Sequence, residues 1–383
     1  YADIGDKDGP LHNKEAFHMK KKIFGTAIAS SILALLAGLA FADVTKEARS
    51  EAGSKEIKVF IVQSYEKDHV CGSPQGRGIE ESLTKEFKGR INIRTHFMST
   101  KTINSTPDKM KKEALVVLSE VESFAPDMVF TVDDDAFREV GQKLIGRSYP
   151  VIFSGMNGQP ENYSKNTPFL DSQGQPSSNI TGVYEKLHFQ TALNVMRGVI
   201  PDLKKIVALL DMSPTGNAIR VQLEKELIGY GEKVEVVFKQ VGTMKDYLSE
   251  ITKINNDPSL QAVYPVVLSV VDDKGVSVGF NTTLKAYAEG CTKPGMALNF
   301  DFARLGLFGG ASVDFAAMGR QAGEMGVKLL KGAKIQELPI ESAQEYLITF
   351  NKKNADILRI KIPAELIGAA VIYDSMAVLA QAE

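Results

Sequence analysis

From residue 55 onward, short apolar runs alternate with polar turns and with longer stretches whose apolar side chains recur at helical spacing. The runs at 57–62, 91–97, 128–132 and 150–154 read as strands, and Ile79, Leu83 and Phe87, then Met110, Ala114, Val117, Leu118 and Val121, mark one face each of the helices between them. Pro107 suits the first turn of the second of these helices. The stretch 155–179 is rich in Gly, Pro, Asn and Ser and reads as a loop. A second series then begins, with strands predicted at 205–210, 234–238, 262–266 and 296–299. Its helices fall on Ala192, Val195, Met196 and Val199, on Ile219, Leu223 and Leu227, on Tyr247, Ile251 and Ile254, and near 282–288. Strands alternating with helices predict parallel sheets covered on both faces, here in two α/β lobes that meet at a crossing near 181–185. The long helical pattern at 313–331 carries Gly319, Ala322, Gly323 and Gly326 on one face, which permits close backbone packing.

The most informative junction is 128–137, where an apolar run ends in Asp133, Asp134 and Asp135 and continues at helical spacing through Phe137. Ligands bind at that edge of open parallel sheets. An Asp at a helix start is also favoured without any ligand, because it accepts from free backbone N–H groups and meets the positive helix end. That accounts for one carboxylate more easily than for three adjacent ones.

Composition adds limits. The chain has 383 residues, 44% hydrophobic and 24% charged, with a net charge of −2, so it is long enough for two cored domains and shows no basic field for nucleic acid. Met19, three lysines, an apolar run from 23 to 39 and the small residues Ala40 and Ala42 follow the order of a secretory signal peptide, with cleavage expected after Ala42 and a protein that works in the periplasm. The polar segment 1–18 is expected to lie upstream of the native start. Cys71 and Cys291 are read as two separate thiols, although an oxidising compartment would permit pairing.

Several chemistries are disfavoured. The chain contains no Gly-x-Ser-x-Gly elbow, no Gly-Lys-Ser/Thr phosphate loop and no His-Glu-x-x-His pair, so it is read as a binding protein and not an enzyme. His69 and Cys71 are too few for a zinc site, and no metal or cofactor is expected. With no Trp in the chain, any stacking surface must come from Tyr or Phe. Tyr65 and Tyr184 are candidates for such walls and equally for ordinary packing. Asn157 could hold a ligand or satisfy its own turn. Ser213, Thr215 and Gly216 precede a helix and read either as a cap or as an anion pocket. Asp211 and Asp301 follow strand-like runs, and are cleft groups or solvated loop carboxylates.

The ordered set of Tyr65 after the first strand, Asp133 to Ala136, VIFSGMN at 151–157, NITGVYE at 179–185, VDFAAMGRQAG at 313–323, LPIE at 338–341 and Ile362–Pro363 resembles the ABC-transporter substrate-binding proteins related to the tryptophan/tyrosine-binding group. The resemblance covers about 55–374. It implies a type I periplasmic-binding-protein fold, two Rossmann-like lobes joined by a three-stranded hinge, with 55–183 and about 302–333 in the first lobe and 184–301 and about 334–375 in the second. It also implies capture of a small polar organic ligand, amino-acid-like or bearing an amine or amide, in the cleft between lobes. Delivery would be to an ABC permease of the inner membrane; related modules report instead to a membrane sensor kinase. A monomer is expected, and no nucleic-acid partner. Carried onto this sequence, the ligand loops are Ser64, Tyr65 and Glu66; Asp133, Asp134, Asp135 and Phe137; Gly155 and Asn157; Tyr184 and Glu185; Asp211, Ser213, Thr215 and Gly216; Pro265 to Leu268; and Asp301. The acidic triplet departs from the small hydroxyl or amide residues expected there.

Overall fold

The structure is a computed structural model that describes residues 55–231 and 234–377. The expected signal peptide at 19–42 and the segment before it lie outside the described residues.

The first sheet takes β1 (Ile57–Gln63), β2 (Ile91–Phe97), β3 (Met128–Val132), β4 (Val151–Met156), β5 (Ile180–Tyr184) and the two-residue β12 (Glu341–Ser342) in the order β12-β5-β4-β3-β1-β2, every pair parallel. β3 and β4 are buried along their whole length, as a central parallel strand covered on both faces requires, whereas the edge strand β2 alternates with partly exposed positions. Helices α1 (Gly72–Phe87), α2 (Pro107–Phe124), α3 (Asp133–Glu139) and α4 (Pro160–Asn166) connect these strands.

The second series supplies α5 (Phe189–Val199), β6 (Lys205–Asp211), α6 (Pro214–Leu227), β7 (Glu235–Val241), α7 (Met244–Asn256) and β8 (Ala262–Val266), with the parallel order β7-β6-β8. A short antiparallel hairpin, β9 (Ser269–Val271) and β10 (Ser277–Gly279), leads into α8 (Phe280–Gly290). Next come α9 (Phe300–Leu305), β11 (Gly309–Val313), α10 (Phe315–Leu330), β13 (Tyr346–Asn351), α11 (Lys352–Leu358), α12 (Ala364–Ala369) and β14 (Val371–Tyr373). The stretch expected as a strand at 296–299 makes only single bridges, Val263 to Gly295, Met296 to Gly309 and Asn299 to Val313, which join β8 to β11.

The stretch 155–179, read as a loop, contains helix α4, and two further features differ from the sequence expectation. β11 pairs antiparallel with β13, so the second layer is mixed rather than wholly parallel. That pairing holds α9 and β11 with the second lobe, and the chain passes to α10 only at Asp314, not near 302. Asp314 caps α10 by accepting from the Ala317 N–H at 2.9 Å. After β12 the chain returns to β13. With the passage after β5, it crosses between the sheets three times.

Helix α10 lies along α1. A Cβ at Gly319 would fall 2.1 Å from the Gln75 carbonyl oxygen, and one at Gly78 would fall 2.2 Å from that of Ala316. Only glycine lets the two backbones approach so closely, and the approach fixes Gln75 beneath the cleft.

Candidate functional site

The C-terminal ends of β1, β3 and β4 face those of β6 and β8 across a cavity of about 230 Å³. From the first lobe it is lined by Tyr65, Glu66, His69, Lys101, Asp133 and Asn157, with Glu185 and the buried Cys71 completing that side. Thr215, Ile219, Leu268, Ser269 and the start of α8 line the other side, with Leu298 and Phe315 also in the wall.

The acidic triplet divides into three roles. Asp133, 2% exposed and in the left-handed region at φ +66°, lines the cavity. A non-glycine residue held there is uncommon, and such outliers concentrate at binding sites. Its one hydrogen bond is from Gln75 Nε2 at 3.3 Å, and Gln75 is anchored by donating to the Cys71 carbonyl and by accepting from the Ser154 hydroxyl at 2.7 Å. Burial, reinforced by Asp134, pushes the Asp133 carboxyl well above the ordinary carboxylate range. Asp134 turns toward the β4 loop, accepting from Asn157 N–H at 3.0 Å, Gly158 N–H at 2.9 Å and the Tyr163 hydroxyl at 2.6 Å. Asp135 turns to the other side and accepts from the Thr100 hydroxyl at 2.7 Å and from Arg138. Burial alone would raise its carboxyl, but Lys101, Arg138 and the Thr100 bond hold it below its usual value.

Glu185, 1% exposed at the first crossing, accepts from Asn157 Nδ2 at 3.1 Å. Burial, then Asp133 and Asp134, push its carboxyl up. Asn157 Oδ1 and Glu66 Oε2 are buried and have no hydrogen-bond partner. Lys101 Nζ lies 5.1 Å from the Tyr65 ring centroid and donates across the cleft to the Thr215 hydroxyl at 3.4 Å. His69 stacks at a tilt on Tyr65, centroids 4.2 Å apart, and burial followed by Lys101 lowers it to about 3, so its imidazole is neutral near pH 7. Burial likewise pushes the Tyr65 phenol and the Cys71 thiol well up, so both keep their protons.

On the second lobe, Thr215 stands in the first turn of α6, where the cap Ser213 accepts from Gly216 N–H at 3.1 Å. The start of α8 has no side-chain cap, so its first N–H groups have no intrahelical partner at the cavity wall.

Of the residues expected at the site, Tyr65, Glu66, Asp133, Asn157, Glu185, Thr215 and Leu268 line this cavity. Asp135 and Ser213 line a neighbouring cavity of about 610 Å³ that shares Lys101, Thr215 and Ser269 with this one, and the rest hold the scaffold. Ser64 donates to Val132 O at 2.6 Å and accepts from Ala136 N–H at 2.8 Å, tying β1 to the start of α3. Phe137 packs against Phe153 and Phe169 in the core, and Tyr184 packs on the same cluster. Gly155, at φ +77°, lies against the Gln75 side chain. Asp211 gathers the N–H groups of Ser213, Leu268 and Ser269, and Gly216 lies against it. Pro265 is buried in β8, and Asp301 pairs with Arg304 at 2.7 Å. Lys101, Ile219, Ser269, the 279–282 turn, Leu298 and Phe315 were not expected. Lys101 was within reach of the same rule, since it follows β2 at the sheet edge. His69 and Cys71 also line the cavity, and among the described residues no group of three His, Cys, Asp or Glu could hold a metal ion.

Residues 144–372, more than half of the chain, match the family described as ABC transporter substrate binding protein. The chain belongs to that family. This substrate-binding protein is 20% identical over 349 residues to a tyrosine-binding protein of Clostridioides difficile (strain R20291), covering 87% of this chain and 90% of the relative. Among solved structures it resembles an ABC domain in complex with L-Trp from Streptococcus pneumonia, with TM-score 0.60, 20% identity and coverage of 84% of this chain and 100% of the other. A ligand-free, open substrate-binding protein with adhesive properties from Clostridium difficile gives TM-score 0.61 at 16% identity, covering 83% and 99%. The substrate-binding protein therefore has the two-lobed type I periplasmic-binding fold.

Proposed function

We propose that this protein is the solute receptor of an ABC importer, working outside the inner membrane and taking an amino-acid-like ligand between its lobes for delivery to a permease. The observation that carries this reading is the cavity itself, walled by both lobes and holding acceptors on one side and free helix N–H groups on the other. Its volume of about 230 Å³ is below the ~300–1,000 Å³ of pockets for drug-sized molecules. An occupant of amino-acid size fits that limit. Aromatic walls from Tyr65, Phe280 and Phe315 suit an apolar or flat portion of the ligand.

Capture needs no covalent step. Three chain crossings permit the lobes to close over the ligand, and the groups on each edge are prearranged by the backbone contacts of Asp134 and Asp211. The similarity to a tyrosine-binding protein and to an L-Trp complex supports an amino-acid-like occupant.

Native mass spectrometry of the gently purified protein tests the proposal, followed by calorimetry with whatever co-purifies and with a panel of amino acids and amines. Saturable binding of one small ligand is the expected result. Its absence across the panel defeats the receptor reading, and turnover of a bound compound moves the case to an enzyme.

A further inference from the structure

The charges around the cavity narrow what enters it, given the receptor reading. Its walls present three carboxyl side chains, Glu66, Asp133 and Glu185; burial disfavours the ionised form of the last two, which a cation placed against them would restore. Among the described lining residues, Lys101 is the only fixed cation, and His69 is held neutral by burial. Lys101 also acts on Asp135, outside this cavity, so its charge is shared. The second lobe contributes Thr215, Ser269, Asn281 and Thr282, none of them charged.

A second observation is independent of charge. Asn157 is 5% exposed, and its amide N–H goes to Glu185, which leaves Oδ1 as an acceptor with nothing to accept from. Glu66 Oε2 is in the same condition on the same cavity. Buried polar atoms in native proteins are nearly always paired, so both atoms call for a hydrogen-bond donor, which an occupant of the cavity is placed to supply.

We propose that the ligand is a small organic cation with two positively charged, N–H-bearing groups, of the size of a basic amino acid. One group satisfies Asp133, Glu185 and Asn157 Oδ1; the other answers Glu66. A ligand carboxylate, where present, meets Lys101 and the uncapped start of α8. The aromatic walls Tyr65 and Phe280 accept the methylene chain or a cation face. This chain thus parts from its relatives named for tyrosine and bound to L-Trp, whose ligands have uncharged side chains.

Calorimetry on the full chain with lysine, ornithine, arginine and putrescine against tyrosine and tryptophan, at fixed ionic strength, tests this. Basic amino acids or the diamine should bind about 10- to 100-fold more tightly than the neutral amino acids, the worth of one charge-assisted hydrogen-bonded group. Equal or tighter binding of tyrosine or tryptophan overturns the charge assignment and leaves the receptor reading standing. No saturable binding to any of the six overturns both. Asp133→Asn should weaken the basic ligand by at least ~30-fold, the lower range for truncating a buried charge pair. Glu66→Gln, at a partly exposed side chain that folding tolerates more readily, should weaken dibasic ligands by about 10-fold and leave monobasic amines unchanged. Unaltered dibasic affinity in Glu66→Gln refutes the second cationic contact, whatever the folding of the Asp133 variant.

Discussion

Replacing Asp134 by asparagine places an amide N–H₂ where a carboxylate oxygen accepts from protein donors. Three donors converge on this side chain, the Asn157 and Gly158 N–H groups and the Tyr163 hydroxyl. The amide keeps one acceptor and turns a donor toward another donor, leaving at least one buried N–H unpaired. Hydrogen bonds to charged groups are worth about 1.5–3 kcal/mol and an unpaired buried group costs ~1–3 kcal/mol, so Asp134→Asn should lose about 2–4 kcal/mol. With an unfolding entropy of ~2.1 cal/mol/K per residue, a folded body of roughly 320 residues shifts by about 1.5 °C per kcal/mol, which gives a Tm lower by ~3–6 °C. Asp133→Asn should behave differently. It replaces a carboxyl whose ionised form burial disfavours and keeps an acceptor for Gln75, so stability should stay within ~1 kcal/mol of the original or rise. Thermal and urea melts of the ligand-free protein at pH 7 measure both. An Asp134→Asn loss below ~0.5 kcal/mol, or equal losses in the two variants, would show that the triplet does not divide its labour as described.

Ligand-free stability should fall as pH rises above the ordinary carboxylate range near ~4, because Asp133 and Glu185 keep their protons longer folded than unfolded. The Asp133→Asn, Glu185→Gln double variant should flatten that slope in midpoint-against-pH curves. Asp135 acts in the opposite sense, its stabilisation being present above ~4 and lost as pH falls below it, so Asp135→Asn should destabilise at pH 7 and less at pH 3. Gly319→Ala drives a Cβ into the Gln75 carbonyl and should cost about 1–3 kcal/mol in urea melts, with weakened ligand binding through the displaced Gln75. Lys101→Met should lower affinity for carboxylate-bearing ligands about 10-fold while sparing a diamine, read by calorimetry.

Local patterning reveals most of the first lobe, because its central strands are continuous apolar runs and its helices keep a clear apolar face. It misses β11, whose Gly309 and Gly310 sit at φ +118° and +128° and carry no strand-like side chains; pairing with β13 some forty residues later makes it a strand. The rule that ligands meet strand ends finds Asp133, Asn157 and Glu185. It cannot say which carboxylate of the triplet turns inward, since adjacent helical positions point about 100° apart and the choice is made by Thr100, Arg138 and the Asn157 turn. Phe280 to Thr282 follow a hairpin and Phe315 arrives with the second crossing, so no strand-end signal precedes them.

The close seam between α1 and α10 has a kinetic consequence. Helix α10 covers Phe130, Met128 and Ile152 as well as α1, so the first lobe lacks one side until residue 330 has been made. Contacts this distant in sequence carry a large loop-closure cost before they reward it, which slows folding. A partial chain ending before α10 leaves that face of the first lobe uncovered. The glycine seam thus ties completion of the first lobe to the arrival of a helix more than two hundred residues away.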